Sequence, residues 1–236
     1  ILRGVKFQQD EFGITPRVLW LPDTFGYTAA IPQLMAQTGL DIFVTSKCSW
    51  NDTNRMPNDT FEWQGIDGTN VTAYLITAQT DDKGHRGDHR TDYGPHLDVS
   101  SAVGAWNRYE PKALNQNVLV PFGHGDGGGG PCKVMLENAK RMEKGVPGLP
   151  KLKLEGIRPY FDRMRQTIAE NGIDFPRWVG ELYLEYHRGT LTSLAKNKRN
   201  NANGEHLLRE LELLSVLAKL NGEAIDDALA EIDALW

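Results

Sequence analysis

Short apolar runs that stop at turn residues alternate, over most of the chain, with stretches whose apolar residues recur every three or four positions. Arg17-Val-Leu-Trp20 predicts a buried strand, ended by Leu21-Pro22-Asp23. Ile31, Leu34 and Met35 predict a helix over residues 29–38, with Gly39 as its C-terminal cap. Ile42-Phe-Val-Thr45 is the next strand, and residues 61–63 and 71–77 predict a hairpin around Asp67-Gly68. Residues 78–100 are polar and rich in Gly, Asp and His, as in a long surface loop. A helix over 102–109 follows, then a strand over 117–121 that feeds a glycine-rich loop. Residues 131–144 predict a helix with Val134, Met135 and Ala139 on its apolar face. A strand over 151–154, a helix over 160–170 and a strand over 178–186 complete the alternation. Strands alternating with helices predict an α/β fold, with functional residues at the carboxyl ends of the strands.

The pattern changes after Thr190. Leu207, Leu208, Leu211, Leu214, Val216 and Leu217 recur at helical spacing in a charged background, and a second helix starts near Glu223. Two helices cannot close a bundle, so a truncated helical domain is expected, with the division at residues 1–188 and 189–236. The leucine stripe needs either lost intramolecular neighbours or a second copy in a homo-oligomer.

Composition narrows the function classes. The 236 residues are 40% hydrophobic and 24% charged, with charges of mixed sign, which disfavours disorder and fibres. A net charge of −5 argues against a nucleic-acid partner, and no apolar run approaches the roughly 20 residues of a membrane span. Cys48 and Cys132 lack Cys-x-x-Cys spacing and are too few for a disulfide scaffold. The opening Ile-Leu-Arg-Gly is neither an initiator Met nor a signal peptide, so a piece of a longer protein is expected. Asn51-Asp-Thr53, Asn58-Asp-Thr60 and Asn70-Val-Thr72 match the glycosylation sequon, which carries little weight without a secretory signal. The departure from ordinary composition is local: six of 24 glycines fall between Gly123 and Gly130, broken only by His124 and Asp126.

Three segments carry candidate chemistry. In Trp20-Leu-Pro-Asp23-Thr-Phe25-Gly-Tyr27 a carboxylate follows a strand-ending Pro, and Phe25 and Tyr27 offer flat faces of the kind that contact sugars. Asp is also a favoured N-cap, so capping of the next helix is an equal alternative. Gly123-His124-Gly125-Asp126-Gly127-Gly-Gly-Gly130-Pro131 satisfies the letter of G-x-G-x-x-G, yet Asp126 would repel a pyrophosphate and Glu155 is too distant to serve a ribose. The glycines offer instead close approach to Asp126, or else a flexible loop. In Glu181-Leu-Tyr183-Leu-Glu185-Tyr-His187 a strand would put Glu181, Tyr183, Glu185 and His187 on one face, suiting a metal ligand with an acceptor behind it, or a solvated face. His85, His89 and His96 in the polar loop, and His206 on the leucine-rich helix, read as surface residues.

Val18-Leu-Trp-Leu-Pro-Asp23-Thr-Phe-Gly-Tyr27, the 123–131 loop and Glu185-Tyr-His187-Arg-Gly-Thr190 together resemble the α-mannosidases of glycoside hydrolase family 38, in the family's order. The likeness is to the cytosolic and bacterial branch, and Thr45-Ser-Lys-Cys-Ser-Trp50-Asn51 and Trp63-Gln-Gly-Ile-Asp-Gly68 extend it across the chain. It implies a cytoplasmic, retaining, zinc-dependent exo-α-mannosidase acting on mannose-containing oligosaccharides. The implied fold is a barrel-like α/β catalytic domain, incomplete over 1–188, followed by the start of a three-helix bundle over 189–236. Asp23 matches the nucleophile and a zinc ligand, Asp126 the general acid/base and His187 a zinc ligand. Phe25, Tyr27, Trp50, Asn51 and His124 match the sugar pocket, and cobalt is an alternative metal. The family's His-x-Asp zinc pair has no match here, so half of the metal site is expected to be missing and the fragment alone inactive. A non-catalytic carbohydrate-binding module and, more distantly, a nucleotide-binding oxidoreductase stand as alternatives.

Overall fold

The computed structural model describes residues 1–79 and 89–236, in two compact units, Ile1–His187 and Arg188–Trp236. The predicted loop over 78–100 falls partly outside the described residues, and His85 wholly so.

In the first unit, helix α1 (Leu2–Phe12) precedes β1 (Val18–Trp20), α2 (Ile31–Gln37) and β2 (Ile42–Thr45). The hairpin β3 (Thr60–Gln64) and β4 (Asn70–Leu75) follows, then α3 (Val99–Arg108), α4 (Lys133–Glu143), α5 (Ile157–Asn171) and β5 (Arg177–Val179). Five strands form an open sheet in the order β1-β2-β4-β3-β5, with β1, β2 and β4 parallel, β3 antiparallel to β4, and β5 parallel to β3.

Burial on both faces explains why β2 and β4 read as continuous apolar runs. Successive side chains point to opposite faces of a strand. Phe43, Val71, Ala73 and Leu75 accordingly pack with Met35, Phe61 and Trp63 on one side. Ile42, Val44, Tyr74 and Ile76 pack with Tyr109, Tyr160 and Phe161 on the other. Truncating Phe43 or Trp63, both fully buried, to Ala would cost about 3–5 kcal/mol. Helix α3 starts where Asp98 accepts the Ser101 N–H and the Ser101 hydroxyl accepts the Asp98 N–H, a capping box that replaces orphan donors' water.

Three expected elements differ. Residues 117–121 and 151–154 form no strand; the Leu119 N–H donates instead to the Tyr74 hydroxyl at 2.9 Å, so a side chain takes the place of a ladder partner. The last strand stops at Val179, because Gly180 takes φ 106° and turns the chain. On α4, Met135, Ala139 and Met142 face the core while Val134 is 65% exposed, one helical step off the expected face.

The second unit has a 3-10 turn at Arg188–Leu191, the long helix α6 (Ala195–Leu220) and α7 (Asp226–Leu235). Trp236 donates its indole N–H to Glu212, and Ser215 on α6 and Ile232 on α7 are buried. Leu207, Leu211, Leu214 and Leu217 remain exposed.

Candidate active site

The segments that follow the carboxyl ends of β1 and β2 form one cleft of about 290 Å³ with residues 91–96 and the 124–126 loop, lined among others by Asp23, Lys47, Trp50, Tyr93, His124 and Asp126. Parallel strands gather functional groups at this end because their connecting loops leave there. After β1 the chain is clamped. The Pro22 carbonyl accepts from the Ser46 N–H at 3.2 Å and the Ser46 hydroxyl at 2.8 Å, and the Tyr27 hydroxyl donates to the Leu21 carbonyl at 2.8 Å. Asp23 is thereby held at the mouth. It does not cap a helix, since α2 begins at Ile31 with Ala30 as its cap.

Lys47, on the 3-10 turn Lys47–Trp50 after β2, places its Nζ 2.6 Å from Asp23 Oδ1. Asp23 Oδ1 has no aligned hydrogen-bond donor, so this is a charge contact rather than a directed hydrogen bond. The ammonium also lies 4.0 Å from the Trp50 ring centroid and 5.3 Å from that of Phe25, and its side chain is 10% exposed. Trp50 is fixed in turn by its indole N–H, which donates to the Thr91 carbonyl at 2.8 Å.

Across the cleft, Tyr93 Oη lies 3.4 Å from Asp23 Oδ2 and 3.4 Å from Asp126 Oδ1, and accepts the Asp126 N–H at 3.1 Å. The two carboxylate oxygens are therefore within 6.8 Å of each other. The Asp126 N–H favours the phenolate, but burial and the two neighbouring carboxylates outweigh it and raise the Tyr93 pKa, so the hydroxyl keeps its proton. The glycines explain how Tyr93 gets so close. A Cβ on Gly94 would sit 2.6 Å from the Gly125 nitrogen, and one on Gly125 would press the Tyr93 ring at 3.3 Å. The 123–130 loop is a tight turn, closed by the His124 N–H on the Gly129 carbonyl at 2.8 Å, and Asp126 sits at φ 52°.

The 180–187 segment reaches the site by a different route from the predicted strand face. Tyr27 and Leu182 exchange backbone hydrogen bonds at 2.9 and 3.0 Å, which carries His187 to the Phe25 ring with centroids 4.6 Å apart. The alternation holds at its start, with Glu181 and Tyr183 exposed and Leu182 and Leu184 buried, but no strand continues to His187. Glu185 clasps the 51–54 loop, accepting the Thr53 and Asn54 N–H groups at 2.8 Å each, while its own N–H donates to Asn51 Oδ1 at 2.7 Å. His187, at φ 50°, is one of three non-glycine residues with positive φ among those described; Asp126 is another. Such backbone conformations concentrate at functional sites.

Of the expected residues, Asp23, Trp50, His124 and Asp126 line the cleft, with Phe25 and His187 stacked beside it. Asn51 lies in an adjoining polar pocket with Arg55 and His89. Tyr27 is corrected: it is 4% exposed, in the core against Phe43, where the turn at Gly26 (φ 103°) delivers it, and it does not line the cleft. Lys47 and Tyr93 were missed. Lys47 stands in a run beyond a strand end, the one local signal available; Tyr93 in a polar loop gave none. Glu155, considered for a ribose, is bound by Arg163 and Lys153, which hold its carboxyl at about 2.

These donors fall short of a zinc site. Asp23 meets Lys47 and Tyr93, the His187 ring lies against Phe25 and Tyr186, and among the described residues no three His, Cys, Asp or Glu groups converge as a metal site. Two donors fall short of the four that zinc usually takes, so the set present does not by itself fit the ion.

Residues 1–181 match the N-terminal domain of glycosyl hydrolases family 38. The chain belongs to this family. Among family 38 relatives it is 37% identical over 235 residues to human alpha-mannosidase 2C1, and 35% identical over 241 residues to the alpha-mannosidase of Saccharomyces cerevisiae. Those matches take in 100% and 99% of this chain but 21% of either relative, so the chain spans about a fifth of the length of these curated relatives. The crystal structure of an alpha-mannosidase from Enterococcus faecalis is similar in fold, with a TM-score of 0.56 at 17% identity over 77% of this chain and 19% of that one. No helix among the described residues is long and apolar enough to cross a membrane.

Proposed function

We propose that the protein to which this family 38 chain belongs is a retaining exo-α-mannosidase that removes terminal α-linked mannose from oligosaccharides in the cytoplasm. The observation that carries the reading is the pair Asp23 and Asp126, facing one cleft with oxygens no more than 6.8 Å apart. Retaining glycosidases need two carboxyl groups about 5–5.5 Å apart, within that bound. Asp23 attacks the anomeric carbon while Asp126 gives its proton to the departing oxygen. Asp126 then takes a proton from water, which attacks the same carbon and frees Asp23. Phe25 and Trp50 supply flat faces beside the sugar.

In this reading Asp23 and His187 are this chain's share of a zinc or cobalt site, completed by ligands elsewhere in the protein. No step above runs through the metal. The sheet belongs to a barrel-like catalytic domain, and α6 and α7 to a three-helix bundle.

Hydrolysis of an aryl α-mannoside by the intact protein tests the proposal, with Asp23→Ala and Asp126→Ala as controls and NMR reading the product anomer. Loss of turnover in both variants with α-mannose as first product supports it. Wild-type rates in both variants would exclude these residues; mannose binding without turnover would favour the carbohydrate-binding alternative.

A further inference from the structure

Resting on the mannosidase reading, we propose that Tyr93 is a positioning residue shared by both carboxyl groups, its single hydroxyl proton pointing to Asp23 in one half of the reaction and to Asp126 in the other. A phenol has one proton to donate and lone pairs to accept. Here the acceptor side is committed to the Asp126 N–H at 3.1 Å, which anchors the oxygen. The donor side is uncommitted: Asp23 Oδ2 and Asp126 Oδ1 both lie at 3.4 Å, beyond the usual 2.5–3.0 Å of an O–H···O bond. A small rotation or approach decides which carboxylate receives the hydrogen bond.

The chemistry asks for that alternation. Before attack, Asp23 is the carboxylate and Asp126 carries the proton to be delivered, so Asp23 is the better acceptor. When the bond from Asp23 to the anomeric carbon has formed and the glycosidic bond has broken, Asp23 is an ester and Asp126 a carboxylate. Asp126 is then the better acceptor, until it takes the proton of the attacking water. Tyr93 gains and loses no proton in this cycle; only its hydrogen bond changes partner.

The surroundings hold the phenol for this task. The Thr91 hydroxyl is within 2.9 Å of the Ser49 hydroxyl, and the Asp92 N–H donates to the Ala78 carbonyl at 2.7 Å, so the turn carrying Tyr93 is tied to the ends of β2 and β4. Gly94 and Gly125 remove the side chains that would separate this turn from the Asp126 loop.

The test compares wild type, Tyr93→Phe and Asp126→Ala in the intact protein on 4-methylumbelliferyl and 2,4-dinitrophenyl α-mannosides, the second of which departs without a proton. Phe keeps the ring on Gly125 and removes the hydroxyl. Loss of a hydrogen bond to a charged group predicts a roughly 10- to 100-fold fall in kcat on both substrates, with KM little changed. The Asp126→Ala loss should shrink on the dinitrophenyl substrate and respond to added azide; the Tyr93→Phe loss should persist on it, because Asp23 is also affected. Should Tyr93→Phe not fold, Gly125→Ala displaces the hydroxyl without removing it and should lower kcat on both substrates. A kcat within twofold of wild type overturns the proposal, as does a loss confined to the poorer leaving group or to KM. Wild-type activity in Asp126→Ala would instead overturn the acid/base role given to Asp126 in the mannosidase reading, whereas no turnover of either mannoside by the wild type would overturn that reading itself.

Discussion

Lys47 closes to 2.6 Å of Asp23 from the neighbouring strand end, and the same ammonium lies over the Trp50 ring. Charge and packing together hold one rotamer of a side chain that would otherwise roam. Replacing Lys47 with Met keeps the packing and removes the charge. The expected result is a fall in kcat of about 100-fold, as for other ångström-scale misplacements of a reacting group. Stability should drop by about 1–3 kcal/mol, less than for a fully buried pair because Asp23 is 32% exposed. Lys47→Arg should recover part of both; activity assays and thermal melts check it.

Asp59, beside β3, has its carboxyl pushed up to about 6, chiefly by burial, against the Glu110 N–H that donates to it at 2.9 Å. A folded-state pKa above the unfolded value of roughly 3.9 means that the native state binds the extra proton. Stability from this group is therefore present below pH 4 and lost as pH rises to 6 and beyond. Asp59→Asn should raise stability at pH 7 by about 1–2 kcal/mol, discounted for residual solvent contact, and change nothing near pH 3.5. Denaturant titrations at the two pH values measure it.

Asp41 has the opposite sign. Burial opposes its ionisation, but Arg17 and Arg165 outweigh that and lower its pKa. Arg165 reaches it at 2.6 Å and also donates to the Asp41 carbonyl at 2.7 Å. This contribution is full above the unfolded carboxylate range and is lost as pH falls through the lowered value. Arg165→Met should destabilise the fold by about 1–3 kcal/mol at pH 7, and by less at pH 3. The same titrations report it.

The glycines of the 123–130 loop and its neighbour are not equivalent. Gly94→Ala drives a Cβ to 2.6 Å from the Gly125 backbone, where nothing flexible can yield. It should cost about 1–3 kcal/mol and most of the activity. Gly127 has open space around its Cβ position and no positive φ, so Gly127→Ala should be neutral or stabilise by about 0.4–1 kcal/mol.

With two donors, the 236-residue chain should bind zinc weakly and turn over little or no mannoside. Calorimetric titration with zinc checks it; tight, stoichiometric binding would refute the two-donor assignment.

Elements whose apolar residues decide their own burial were legible in the sequence. β1, β2, the β3–β4 hairpin, α3 and α5 all stand near their predicted places. The segments 117–121, 151–154 and 180–186 were not, since their state depends on partners far along the chain, as with Leu182 on Tyr27. The same holds at the site. Asp23 and Asp126 announce themselves by a strand-ending Pro and a glycine loop, whereas Lys47 and Tyr93 acquire meaning only from contacts 24 and 70 residues away. Tyr27 misled because an aromatic near an acid looks like a sugar platform until the turn at Gly26 is known.

The clasp between Asn51 and Glu185 bears on how the protein is made. Asn51 heads a sequon, yet its side-chain carbonyl already accepts the Glu185 N–H, and it faces a pocket next to the cleft. A glycan joins the Asn51 amide nitrogen and leaves that carbonyl free to keep Glu185, so the sugar would stand at the cleft's doorway with the clasp in place. Intact protein from a host that glycosylates Asn51 should therefore keep its fold and lose access to the cleft, while bacterial material keeps both.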